Sequence, residues 1–100
     1  MSRPAIHPGE ILADELVEIG VSSTELARQI DVPANRLSEI IRGRRSITGD
    51  TALRLGHWFG TSPQFWLNLQ TAYDLRCALE KSGAAIERLP RRPDEVAATA

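Results

Sequence analysis

Residues 22–45 read SSTELARQIDVPANRLSEIIRGRR, and the spacing within this stretch decides the fold. Ser22 and Glu25 stand at the S-x-x-E spacing of a capping box, in which a hydroxyl and a carboxylate each satisfy a free amide at a helix start. Leu26, Ala27 and Ile30 follow as an apolar stripe, and the helix is expected to stop near Asp31, a residue type that tolerates a left-handed backbone. Pro33 then opens a second short helix over 34–41, in which Leu37, Ile40 and Ile41 recur at i, i+3 and i+4 and share a buried face. By the same geometry Asn35, Arg36, Ser38, Glu39 and Arg42 fall on the opposite side. Gly43 ends it.

Outward from this pair the chain continues in the same style. A helix over about 9–19 precedes it, with Pro8 at the opening position, Leu12, Leu16 and Ile19 as its buried stripe, and Gly20 as its stop. Thr48 caps a fourth helix running to Phe59, with Ala52, Leu55 and Phe59 inward and Gly60 at the end. Ser62 and Pro63 start a fifth, expected over about 62–82 and stopping before Gly83. No segment alternates with period two for long enough to make a strand, so the fold class is all-α. One hundred residues fit one domain, here 1–82, followed by a flexible tail over 83–100 that carries two prolines within four residues.

The formal net charge is −1, but charge is unevenly distributed. Residues 1–32 hold two arginines against six acids, whereas residues 33–54 hold five arginines against Glu39 and Asp50. The remainder is balanced. Positive charge is therefore gathered around the third helix and must be explained locally. No run of 18 apolar residues occurs and the start lacks the layout of a secretion signal, so a cytoplasmic protein is expected. The single cysteine, Cys77, fits a reducing compartment.

Two short helices joined by a turn of about three residues match the helix-turn-helix arrangement, whose second helix can lie in the major groove of DNA. DNA affinity comes largely from neutralising phosphates, and Arg36, Arg42, Arg44 and Arg45 flank the second helix at both ends. Between them Ala34, Asn35, Ser38 and Glu39 suit base edges: Asn pairs with adenine, Glu accepts from cytosine, and Ala touches the thymine methyl. Ser22, Ser23 and Thr24 add hydroxyls and free amides at the preceding helix start, a natural phosphate contact.

HPGEIL, ELARQIDVPANRLSEIIRGRRSIT, TALRL and FGTSPQFWLNLQTAYDL together resemble the HigA-type, or VapI-type, antitoxins of bacterial toxin-antitoxin pairs, within the Xre or phage-repressor helix-turn-helix family. The resemblance covers roughly 7–79 and is most distinctive over 61–75. It implies a five-helix phage-repressor-like fold and a small dimeric DNA-binding protein. Such a protein neutralises a RelE-like mRNA-cleaving toxin and represses its own operon at a palindromic operator. Carried over by position, base reading falls on Ala34, Asn35, Ser38 and Glu39, with backbone contacts near Ser23, Thr24, Arg36, Arg42, Arg44 and Arg45. Asp31 departs from the family pattern, which usually has glycine in the turn.

The fifth helix has more apolar surface than one core face requires. Phe65, Leu69, Ala72 and Leu79 make one stripe; Trp66, Tyr73 and Cys77, with Gln70 between them, make a second a quarter turn away and are assigned to a homodimer interface. The alternative is a wide buried helix in which Trp66 leans on a neighbour. Glu10, Asp14 and Glu18 recur every four residues on the first helix, either as a solvated face or as a surface for a basic toxin. His7, His57 and Cys77 form no catalytic or metal-binding arrangement, so no enzyme activity, metal or cofactor is expected. Three readings follow: an antitoxin that also represses transcription, a stand-alone repressor without a toxin partner, and a helical interaction module that has lost DNA binding. The arginine cluster argues against the third.

Overall fold

In the computed structural model, which describes residues 5–93, five helices follow one another: α1 (Pro8–Ile19), α2 (Ser23–Ile30), α3 (Ala34–Ile41), α4 (Gly49–Phe59) and α5 (Pro63–Glu87). No strand occurs among the described residues. Most boundaries have a local cause. Ser22, Thr48 and Ser62 each accept a backbone amide three residues on, from Glu25, Thr51 and Phe65. Helices α1 and α4 end on glycines in the left-handed region, Gly20 and Gly60.

Two capping details depart from the sequence reading. Glu25 does not reach back to Ser22; it turns along α2 to Arg28 and Gln29, which hold its carboxyl at about 2, well below the usual carboxylate range. The complete capping box sits on α1 instead. Gly9 N–H donates to His7 Nδ1 at 2.9 Å while His7 N–H donates to the Glu10 carboxylate at 3.2 Å. His7 and Glu10 have the same three-residue spacing as Ser22 and Glu25, with histidine in the place of the hydroxyl.

The core is one cluster drawn from every helix: Leu12 and Leu16 of α1, Leu26, Ala27 and Ile30 of α2, Leu37 and Ile40 of α3, Ala52 and Leu55 of α4, and Trp66 of α5, with Val32 and Ile47 from the connections. Helix α3 packs on α1 and α2, and α5 packs on α4 and α1. Ile19, expected on the buried stripe of α1, is instead half exposed at the helix end.

Helix α5 required two corrections. Trp66 is 1% exposed and Gln70 is 5% exposed, both within the chain's own core, so neither has surface left to offer a partner. Tyr73 and Cys77 lie half-buried along the same side. Of the stripe assigned to the core only Leu69 packs against it, whereas Phe65, Ala72 and Leu79 are exposed. The two stripes are adjacent, and helical phase alone does not say which one meets the body. Gln70 decides it, because its side-chain oxygen accepts the buried Ile47 N–H at 2.8 Å, a bond that only an inward side chain can make. The second correction is length. The helix runs through Gly83 to Glu87, since a glycine stops a helix only when its backbone turns left-handed, and Gly83 is absent from the positive-φ residues. Residues 94–100 of the expected tail lie outside the described residues.

One close approach fixes the frame. A Cβ added to Gly9 would stand 1.9 Å from the carbonyl oxygen of Ile40, so the start of α1 meets the backbone of α3 with no room for any side chain. Helix propensity alone favours alanine over glycine by about 1 kcal/mol. Gly9→Ala is nevertheless expected to destabilise the protein by roughly 1–3 kcal/mol, because the clash is with backbone that cannot step aside. Urea unfolding of the two forms measures the sign directly.

Candidate nucleic-acid interface

Helix α3 has its rotation set by Leu37 and Ile40, which are fully buried. Ala34, Asn35, Arg36 and Arg42 are consequently exposed, and Ser38 and Glu39 are partly exposed. The sequence-predicted base-reading residues therefore lie together on the outer side of one eight-residue helix. Ser22 and Ser23 border the same shallow surface groove as Ile41, which brings the start of α2 beside the end of α3. Helix geometry leaves the amides of Ser23 and Thr24 outside the α2 ladder, facing solvent.

The arginines beyond α3 are carried on an ordered turn. Gly43 takes φ 76°, and the bonds Gly43 N–H to Ile40 O and Arg44 N–H to Glu39 O close a Schellman motif. Arg45 folds back and pairs with Glu39 at 2.8 Å, so a residue assigned to phosphate and one assigned to a base edge hold each other in the free protein. Arg36, Arg42 and Arg44 have no ion-pair partner among the described residues. Two residues on, the Ile47 amide is held by Gln70, which ties the connection to α5.

The turn between α2 and α3 is held differently. Asp31 has φ 58° and is the one non-glycine residue at positive φ among the described residues. Its left-handed backbone still closes the end of α2, with Val32 N–H donating to Ala27 O at 2.9 Å. Arg54 of α4 reaches across to donate to the carbonyls of Ile30 and Asp31, at 2.9 and 3.3 Å, while its Nε pairs with Asp50. Arg54 belongs to the basic segment of the sequence, yet its work is structural: it satisfies carbonyls freed at the end of α2. Sequence reasoning missed this contact, which spans more than twenty residues and has no local signature.

On α1, Glu10, Asp14, Glu15 and Glu18 all reach the surface, with Asp14, Glu15 and Glu18 lying along the solvent side of the helix. Among the described residues no cluster of His, Cys, Asp and Glu is placed to hold a metal ion, and no helix is long and apolar enough to cross a membrane.

Comparison with known proteins agrees with this geometry. The helix-turn-helix family profile matches residues 12–66. Virulence-associated protein I of Dichelobacter nodosus is 54% identical over 76 residues, covering 75% of this chain and 70% of that protein. A HigA-family addiction module antidote protein from Coxiella burnetii superposes with a TM-score of 0.86 at 54% identity, covering 92% of this chain and all of the other. The Pseudomonas aeruginosa antitoxin HigA, solved with the higBA promoter, superposes with a TM-score of 0.85 at 47% identity over 90% of this chain and 98% of its own. The chain belongs to the Xre-type helix-turn-helix family, among the HigA-type and VapI-type proteins.

Proposed function

From membership of that family, we propose that the protein is an antitoxin that binds operator DNA as a homodimer, represses its own operon, and neutralises a RelE-like mRNA-cleaving toxin. The observation that carries the DNA half is the side of α3 opposite Leu37 and Ile40. It presents Ala34, Asn35, Ser38 and Glu39 for base edges, flanked by Arg36, Arg42, Arg44 and Arg45 for phosphates. Ser22, Ser23 and Thr24 add a helix start suited to a further phosphate. The P. aeruginosa relative solved with promoter DNA supports the reading.

For the dimer, the outer side of α5 is the better surface. Leu75, Leu79 and Ile86 are 67%, 64% and 56% exposed on one helix, a contiguous apolar run that a lone domain leaves wet. A two-fold pair would set two α3 helices about 34 Å apart, one turn of DNA, and so require a palindromic operator. The acidic face of α1 complements a basic ribonuclease.

Four experiments test these assignments. Gel shifts on a duplex taken from upstream of the gene should show binding, and Arg44→Ala with Arg45→Ala should weaken it for every sequence. The slope of log affinity against log salt should become shallower by about 0.9 for each phosphate that is no longer neutralised. Leu79→Asp should shift the protein from dimer to monomer in sedimentation velocity; a persistent dimer would move the interface elsewhere. Co-expression with the adjacent gene should co-purify a small basic partner, and its absence would favour the stand-alone repressor. Asp14→Lys with Glu18→Lys should then weaken that complex at low salt, and unchanged affinity rejects the acidic face. Glu10 is spared because its carboxylate caps α1.

A further inference from the structure

His7 does more than start α1. Its ring is buried, with 5% of the residue exposed, and three elements meet on it. Nδ1 accepts the Gly9 amide at 2.9 Å, which places the ring proton on Nε2 in the neutral form. The edge of Tyr73 on α5 stands 4.7 Å away, centroid to centroid and nearly perpendicular. On the third side lies the connection after α3, where a Cβ on Gly43 would sit 3.7 Å from the imidazole. The imidazole is therefore wedged between the start of α1, the middle of α5 and the turn that carries Arg44 and Arg45.

We propose that His7 is a positioning residue for that arginine turn, its neutral imidazole locking residues 43–45 against α1 and α5, so that protonation of the ring releases the turn and weakens DNA binding. The inference rests on the reading of Arg44 and Arg45 as DNA contacts. Protonation would put a second donor against the Gly9 amide, and the two N–H groups cannot share one bond. The ring must then rotate, and the cap and the wedge against Gly43 are lost together.

The surroundings of the ring set the direction of its titration. Burial pushes its pKa below the ordinary 6.5, opposed by the carboxylates of Asp74 and Glu10 and by the Arg45 backbone. Tyr73 and Asp74 face it from α5, Glu10 from α1, and Arg45 from the turn, with Cys77 beyond Tyr73. Because the folded state favours the neutral ring, the lock is complete above 6.5 and is lost as pH falls through the lower folded value. This sign is diagnostic. Acidification otherwise makes a protein more positive and strengthens its hold on DNA.

The test measures affinity for the upstream duplex between about pH 7.5 and pH 5, a range that spans histidine titration, with circular dichroism confirming that the helices persist. Wild type should lose affinity on acidification, by on the order of tenfold. His7→Asn keeps an N-cap acceptor but is too short to wedge against Gly43 and Tyr73. It should bind about tenfold more weakly at neutral pH, with a salt slope shallower by about 1, and show no loss on acidification. The Arg44→Ala, Arg45→Ala protein is the reference. If it loses affinity while His7→Asn binds like wild type, the positioning role is overturned and the DNA reading stands. If neither substitution changes binding, both are overturned. Should His7→Asn fail to fold, the wild-type profile decides alone: affinity that is flat or rising toward low pH overturns the proposal.

Discussion

An isolated helix of eight residues is not stable in water, so α3 has no orientation of its own. Its position is imposed by the burial of Leu37 and Ile40 between α1 and α2, and by the bare backbone of Gly9 pressed on the Ile40 carbonyl. Everything proposed for the outer face follows from that constraint. A rotation of α3 by one residue, about 100°, would carry Asn35 and Ser38 away from the groove-facing side and leave a leucine exposed. The surface that reads DNA in this proposal is thus determined by the side chains that never touch it. The same logic extends beyond the helix. The Schellman turn at Gly43, the Gln70 bond to Ile47 and the wedge of His7 together leave residues 43–47 little freedom, so the arginines start from fixed backbone positions.

Much of this was legible in the sequence because it is local. Caps, glycine stops and i, i+3, i+4 stripes placed the starts of all five helices and the ends of four, and they placed α3 with the correct face inward. What was not legible depends on partners distant along the chain. Nothing near Gln70 says that it will satisfy the Ile47 amide twenty-three residues earlier, and without that bond the two stripes of α5 are interchangeable. Arg54 reads as one more cation of a basic segment until its guanidinium is seen on the carbonyls of Ile30 and Asp31. The end of α5 was misplaced for a different reason: Gly83 was read as a stop, and its small side is instead covered by Leu79 on the preceding turn.

Asp31 and Arg54 illustrate how a local cost is met at a distance. The other left-handed positions in the described chain, at Gly20, Gly43 and Gly60, use the residue that adopts this backbone without steric penalty. Aspartate at the turn between α2 and α3 does so at some cost. Arg54 adds two hydrogen bonds to the carbonyls on either side of that conformation, and Trp58 Nε1 donates to Gln29 of α2 at 2.7 Å. Helix α4 therefore braces the turn from behind, on the side away from the recognition residues.

The pairing of Glu39 with Arg45 bears on how such a face can hold a carboxylate at all. A negative side chain on a surface that must approach phosphates is repelled, whatever base it prefers. With both side chains about half exposed, the pair contributes little to stability, since surface ion pairs are worth about 0–1 kcal/mol. Its consequence is positional. Arg45 offsets the charge of the carboxylate, and Glu39 draws the guanidinium over the end of α3. In the proposed complex, a base that donates to Glu39 would compete with Arg45 for the same oxygens and free the guanidinium, so the two proposed roles are linked through one ion pair.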